Sequence, residues 1–173
     1  MSTYTITPDA DTYHCLVLTD PNDWDRFDEF SGERLANMWT PVAVRTFKVK
    51  KEGEFPHLAS HVPVFSEQAW QILQSLVKGS VEALPLKHPT KPYYAINVLD
   101  LVDCLDYSRS QIVRFPSGGI MEIDRYSFKE SCVEGKHIFK IAEAPLKQVL
   151  VSEKFKELVE KNRLEGLVFS KVG

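Results

Sequence analysis

The sequence predicts an α+β fold: a mainly antiparallel or mixed sheet, two principal helices over about 66–78 and 152–162, and a short helix near 98–106. Three observations lead there. A helix-opening pattern, apolar residues followed by Ser-Glu, occurs twice, at Ser66-Glu67 and Ser152-Glu153. Several runs, among them Val44 to Val49 and His137 to Ile141, alternate apolar and polar residues as a half-buried strand does. The two kinds of element follow each other irregularly, which suits α+β rather than the regular strand–helix alternation of a doubly wound sheet.

Taken in order, residues 1–11 read as a weakly ordered lead-in, and Tyr13 to Leu18 as a strand. Thr19 to Asp28 is acidic and turn-rich, with Trp24 and Phe27 as anchors, and Ser31 to Leu35 reads as a loop. Pro41 opens a strand over Val42 to Val49. A long connection holding Pro56, His57, His61 and Pro63 follows. Ser66 then caps a helix whose first turn carries Glu67, where the helix dipole favours a negative charge. Ala69, Leu73, Leu76 and Val77 line one face, Phe65 and Trp70 occupy the positions of a hydrophobic staple, and Lys78-Gly79 ends it. Val81 to Leu86 is a short strand. Tyr93 to Ile96 is aromatic and β-branched, again strand-like. Asn97 is then placed to cap a helix with Val98, Leu101, Val102 and Leu105 as its apolar stripe and Asp100 and Asp103 on the wet face. Gln111 to Phe115 and Ile120 to Ile123, joined by Pro116-Ser117-Gly118-Gly119, form a β-hairpin. Tyr126 to Cys132 is ambiguous. His137 to Ile141 is a strand, the second Ser-Glu helix has Phe155, Leu158 and Val159 on its inner face, and Leu164 to Phe169 closes the chain as a strand.

At 173 residues the chain suits one domain over 1–173, with residues 1–40 an acidic N-terminal appendage or subdomain. Hydrophobic residues make up 43% and charged ones 26%, a globular balance rather than a disordered one. No apolar run approaches the roughly 20 residues of a membrane span, and Met1 to Thr5 has neither the basic nor the apolar part of a secretory signal. Cys15, Cys104 and Cys132 are odd in number and widely spaced, which fits thiols in a reducing cytoplasm better than a disulfide framework. The net charge of −3 is uneven: residues 1–40 hold eight acids against Arg26 and Arg34, a balance of −6, and the rest balances at +3. Such a stretch is either an ordinary solvated loop or an acidic surface that meets a basic partner.

Little here carries chemistry. His57 and His61 stand four apart, but prolines flank them and no Glu completes a zinc-binding H-E-x-x-H pattern. The cysteines form no C-x-x-C pair, and Cys104 beside an apolar stripe reads as a packed thiol. Asp100, Asp103 and Asp106 are better explained as a cap and a solvated face than as a cation site. Ser117-Gly118-Gly119 lacks the Lys and remaining glycines of a phosphate loop. A pI near 6.0 and a basic run, Lys48, Lys50 and Lys51, cut off by Glu52 and Glu54 argue against a nucleic-acid partner. The residues therefore name no catalytic group, no cofactor and no metal.

One resemblance goes further. Phe65-Ser66-Glu67, Leu84-Pro85, Tyr94-Ala95-Ile96-Asn97-Val98 with Val102-Asp103-Cys104-Leu105-Asp106, Ile138-Phe139-Lys140-Ile141, Val151-Ser152-Glu153 and Gly166-Leu167-Val168-Phe169 occur in this order. Each motif is short; their order and spacing over about residues 13–172 carry the likeness. The series resembles a bacterial family long catalogued as a domain of unknown function and now regarded as immunity proteins of polymorphic toxin systems, including the type first described in a myxobacterium. The resemblance implies a cytoplasmic antitoxin that binds a cognate toxin protein stoichiometrically, without catalysis and without a membrane or nucleic-acid partner. It supplies no site residues. From composition, the acidic N-terminal stretch is the expected contact surface: Asp23, Asp25 and Asp28 around Trp24, Phe27 and Phe30. The alternative is a small cytoplasmic enzyme or ligand-binding domain with a dispersed site.

Overall fold

A computed structural model of the chain describes residues 2–172, and these form an α+β fold that is mostly sheet. In chain order the strands and helices are β1 (Thr3–Pro8), β2 (Cys15–Leu18), β3 (Val42–Phe47), β4 (Val64–Ser66), α1 (Glu67–Val77), β5 (Val81–Lys87), β6 (Pro92–Val98), β7 (Leu101–Val102), β8 (Gln111–Arg114), β9 (Ile120–Arg125), β10 (Ile138–Ile141), β11 (Leu150–Ser152), α2 (Glu153–Lys161) and β12 (Leu167–Val172). Two short 3-10 helices, Pro21–Glu29 and Ala36–Met38, lie between β2 and β3. One five-stranded sheet runs β12-β1-β11-β10-β7, the other β2-β3-β5-β6-β4, and β8-β9 is a separate hairpin. Both large sheets are mixed: β7 lies parallel to β10, and β3 parallel to β5.

Both Ser-Glu helices form where the capping chemistry places them. The Ser66 hydroxyl accepts from the Ala69 amide at 3.1 Å and donates to the Glu54 carboxylate. The Ser152 hydroxyl accepts from the Phe155 amide at 3.2 Å. Each cap satisfies one of the orphan donors of a helix N-terminus. The helices bury Ala69, Leu73 and Val77 from α1 and Phe155 and Val159 from α2 in one cluster, with Ile6 of β1, Ile96 and Val98 of β6 and Ile138 of β10. A fully buried side chain of this size contributes roughly 1.5–3 kcal/mol. A second cluster joins β2, β3 and β5 to Phe27 and Phe30, and a third joins Val102, Cys104, Phe139 and Leu150 to Ile112 and Ile123 of the hairpin.

Three expectations are corrected. The short helix near 98–106 does not form. Pro92 to Val98 is one strand paired along its length with β5, and Leu101-Val102 pairs with Lys140-Ile141. Tyr93 and the whole run Ala95 to Val98 are buried, and an apolar run buried on both faces mimics a helical stripe in sequence. Asn97 is therefore a strand residue rather than a cap. The lead-in expected over 1–11 is, over the described residues 2–11, not loose, because β1 sits between β11 and β12, with Thr3, Thr5 and Ile6 buried. Its alternating Thr/Tyr/Ile composition is itself strand-like. Finally, Cys104 and Cys132, read as separate thiols, are joined in a disulfide across a sequence separation of 28, with Cα atoms 5.6 Å apart; Cys15 is free. Folding brings β7 and the segment after β9 together, which spacing alone does not show.

Candidate functional site

The acidic stretch folds into a 3-10 helix for local reasons. Asp20 caps it, accepting from the Asn22 amide at 3.0 Å, and Pro21 supplies a pre-set backbone angle at the first position. Phe27 and Phe30 are fully buried, their rings 5.4 Å apart, and Trp39 packs edge-on against both. Arg26 folds back over the Trp39 ring at 4.5 Å and donates to the Thr40 carbonyl. The segment is thus fastened down by its own aromatic residues.

Side chains from the sheets and from the turn before β4 then fix its backbone. The Phe27 carbonyl lies 2.8 Å from His61 Nε2, and the Phe30 carbonyl accepts from Lys140 Nζ at 2.9 Å. Glu82 accepts from the Leu35 and Ala36 amides at 2.6 and 3.2 Å and from Asn97 Nδ2 at 2.9 Å. Asn97 Nδ2 also donates to the Glu33 carbonyl at 2.7 Å. Gly32, at φ 100°, passes so close to Leu101 that a Cβ there would meet its side chain at 2.6 Å. Burial pushes Lys140 down to about 8 and lowers His61 from the ordinary histidine value. Asn97 and Lys140 are both fully buried, and Asn97 Oδ1 has no hydrogen-bond partner among the described residues.

What this scaffold presents outward is narrower than the sequence suggests. Trp24 is 45% exposed, Asp25 and Asp28 are exposed and Asp23 is partly so, and none of the three acids has an ion-pair partner among the described residues. Phe27 and Phe30 are corrected from surface anchors to core anchors: with no exposed area, neither can touch a partner without the segment unfolding. Trp24 packs its edge on Phe27 at 6.1 Å, so its pose is set from beneath. Sequence reasoning passed over His61, Glu82, Asn97 and Lys140 as tethers. The available signal was a polar residue inside an apolar run, Asn97 in Tyr-Ala-Ile-Asn-Val and Lys140 in Ile-Phe-Lys-Ile.

The other candidates do not converge on a reaction. His61 is engaged with Phe27, and no group of three or more His, Cys, Asp or Glu among the described residues is arranged to hold a metal ion. Asp100 accepts from Ser80 and pairs with Lys136, Asp106 with Arg109 and Asp103 with Lys129, so the three acids are dispersed. Asp106 is held down at about 2 by hydrogen bonds from Ser108 and Arg109. A cleft of about 520 Å³ is lined by the segment after β9 and by Thr3 and Ser152 of β1 and β11. There Ser152 meets His137 Nδ1 at 2.9 Å, but its hydroxyl is already the cap of α2. No helix among the described residues is long and apolar enough to cross a membrane.

Compared with known proteins, residues 84–173, just over half of the chain, match the model of an immunity protein family, Imm11. The match takes in Asn97, the disulfide and Lys140, and begins beyond the acidic 3-10 helix. No curated protein matches the chain.

Proposed function

The chain belongs to the Imm11 immunity protein family, and from that premise we propose that it is an antitoxin, neutralising a cognate toxin of a bacterial polymorphic system by binding it. Membership of an immunity family implies immunity to a toxin and suggests a non-enzymatic role. The finer reading is stoichiometric occlusion in the cytoplasm: a protein surface covers the toxin's working site, with no cofactor, no nucleic acid and no membrane involved. The family match is the observation that carries this reading.

We place the contact on the acidic 3-10 helix. Trp24 is a rigid aromatic anchor in a rim of carboxylates, Asp23, Asp25 and Asp28, that spend no charge on ion pairs among the described residues. Aromatic anchors dominate binding energy, and unpaired rim charges steer encounter with a basic surface. The tethers beneath the segment lower the ordering cost of association. Residues 2–172 then act as one folding unit, with the acidic stretch as its presenting face.

The test is co-expression with the toxin-like domain encoded beside the gene. Growth rescue and a 1:1 complex are expected. Trp24→Ala should weaken binding by roughly 2 kcal/mol or more. Reversing Asp23, Asp25 and Asp28 to Lys should slow association and flatten its salt dependence. Rescue with unchanged affinity in both variants would move the contact surface elsewhere, and absence of any rescue would remove the antitoxin reading.

A further inference from the structure

We propose that the Cys104–Cys132 disulfide is a redox-operated clasp that holds one wall of the 520 Å³ cleft, and that reducing it frees residues 130–136 while the rest of the fold stays intact. This inference stands apart from the antitoxin reading, since its readouts are structural.

The asymmetry of the two sulfurs is the first ground. Cys104 is 1% exposed, set among Val102, Leu105 and Phe139. Cys132 is partly exposed, in a run of turns that includes Ser131 at φ 61° and Gly135 at φ 74°. The second ground is how little else holds that run. From Met121 to His137 no side chain is buried, whereas Ile120 before it and Ile138 after it both are. Residues 126–129 are tied to the body: the Ser127 carbonyl accepts from the Asp106 amide at 2.8 Å, the Ser127 amide donates to Ser110 Oγ at 3.0 Å, the Lys129 amide donates to the Cys104 carbonyl at 2.8 Å, and Phe128 packs edge-on against Phe139. His137 is fixed again, its carbonyl accepting from the Ser152 amide at 3.2 Å. Between them, over 130–136, the hydrogen bond to the body is Lys136 Nζ to Asp100 at 3.3 Å. The backbone bonds within this run, Cys132 to Lys129, Glu134 to Ser131 and Lys136 to Val133, are internal to the turns. Beside the partly buried Val133, the disulfide is what joins residues 130–136 to the third core cluster. Segments with few buried contacts open locally at low cost.

The third ground is position. Ser131, Val133, Glu134 and Lys136 form part of one side of the 520 Å³ cleft, with Thr3 and Ser152 also lining it. Thr3 and Ser152 belong to the paired strands β1 and β11. One wall is therefore framework and the other is held by the bridge, so the bond sets the width of the cleft.

The chemistry follows from exposure. A thiolate of a dithiol reductant attacks the accessible Cys132 sulfur, the S–S bond breaks, and Cys104 leaves as a thiolate that takes a proton. The reductant's second thiol then displaces Cys132 from the mixed disulfide. Two electrons and two protons pass to the protein, giving two thiols, and the reductant ends as a disulfide. Reduced Cys104 remains a small apolar side chain in its cluster, so the core keeps its filling while the loop loses its tie.

The experiment uses the full chain. Alkylation under denaturing conditions, read by intact mass, should add one label to the oxidised protein, at Cys15, and three after dithiothreitol. Hydrogen exchange on the same two samples should show the amides of 130–136 exchanging about ten-fold or more faster after reduction, with α1, β5 and β6 unchanged. Cys132→Ser should reproduce the reduced pattern without reductant, and Cys104→Val, which keeps the core filled, should do the same. Three labels on protein prepared without reductant, equal exchange in the two states, or loss of protection throughout the chain on reduction would each overturn the proposal, the last because the bond would then be a staple of the whole fold.

Discussion

Lys140 places an ammonium group where solvent does not reach, with the Phe30 carbonyl as its hydrogen-bond partner. Burial holds it at about 8, below the ordinary lysine value of 10.5. The unfolded chain therefore binds the extra proton between these two values, and stability gains from Lys140 as pH rises through 8, fully so only above 10.5. Between pH 7.5 and 9.5 this amounts to about 2 kcal/mol. Urea unfolding across that range should show the rise in the wild type and not in Lys140→Met. Identical pH slopes would mean that the amine is hydrated in solution. Asn97 poses the same kind of problem, one amide arm fully used and Oδ1 unpartnered among the described residues. At this scale the sequence misled for a physical reason. Asn is both a good cap and a good stitch between a strand and a crossing loop, and only the neighbours decide which.

Among the elements, the Ser-Glu helices were legible because a cap is chemistry between residues three apart. The Ser66 and Ser152 hydroxyls each accept the amide of the residue three positions on. Ser66→Ala and Ser152→Ala should each cost about 1–2 kcal/mol, read by thermal or urea unfolding. Each also strands a second partner, Glu54 for Ser66 and His137 for Ser152, so Thr at either position should recover most of the loss while Asn should not. A change within error for both alanine variants would show that tertiary packing alone holds the helices. The β8–β9 hairpin was equally readable, its turn spelled by Pro116-Ser117-Gly118-Gly119, with Gly118 at φ 95°. β6 was legible over Tyr93 to Ile96, but its end at Asn97-Val98 and β7 were not, since an i, i+3, i+4 apolar spacing can also arise from buried strand residues. The acidic 3-10 helix lies between these cases. Its charge and aromatic content were plain, but Phe27 and Phe30 pointing inward, and Trp24 outward, required the second core cluster to exist.

In the whole molecule, the two ends of the chain meet in one sheet. β1 pairs with β12 over six residues and with β11 over three. Deleting residues 2–8 should therefore remove an interior strand, not a tail, and abolish the cooperative thermal transition seen by circular dichroism; a deletion variant melting within a few degrees of the full chain would contradict this. The sequence by itself determined the α+β class, the two capped helices, the family likeness and the acidic bias of residues 1–40, because each of these is set by composition or by neighbours a few positions apart. The tertiary structure alone decided that β1 is an interior strand, that Cys104 meets Cys132, that Lys140 and Asn97 face inward beneath the acidic segment, and that Trp24 with Asp23, Asp25 and Asp28 is what remains outside. Those outcomes depend on contacts between residues tens of positions apart, and no local periodicity encodes which distant partner a buried polar group or a strand edge will find.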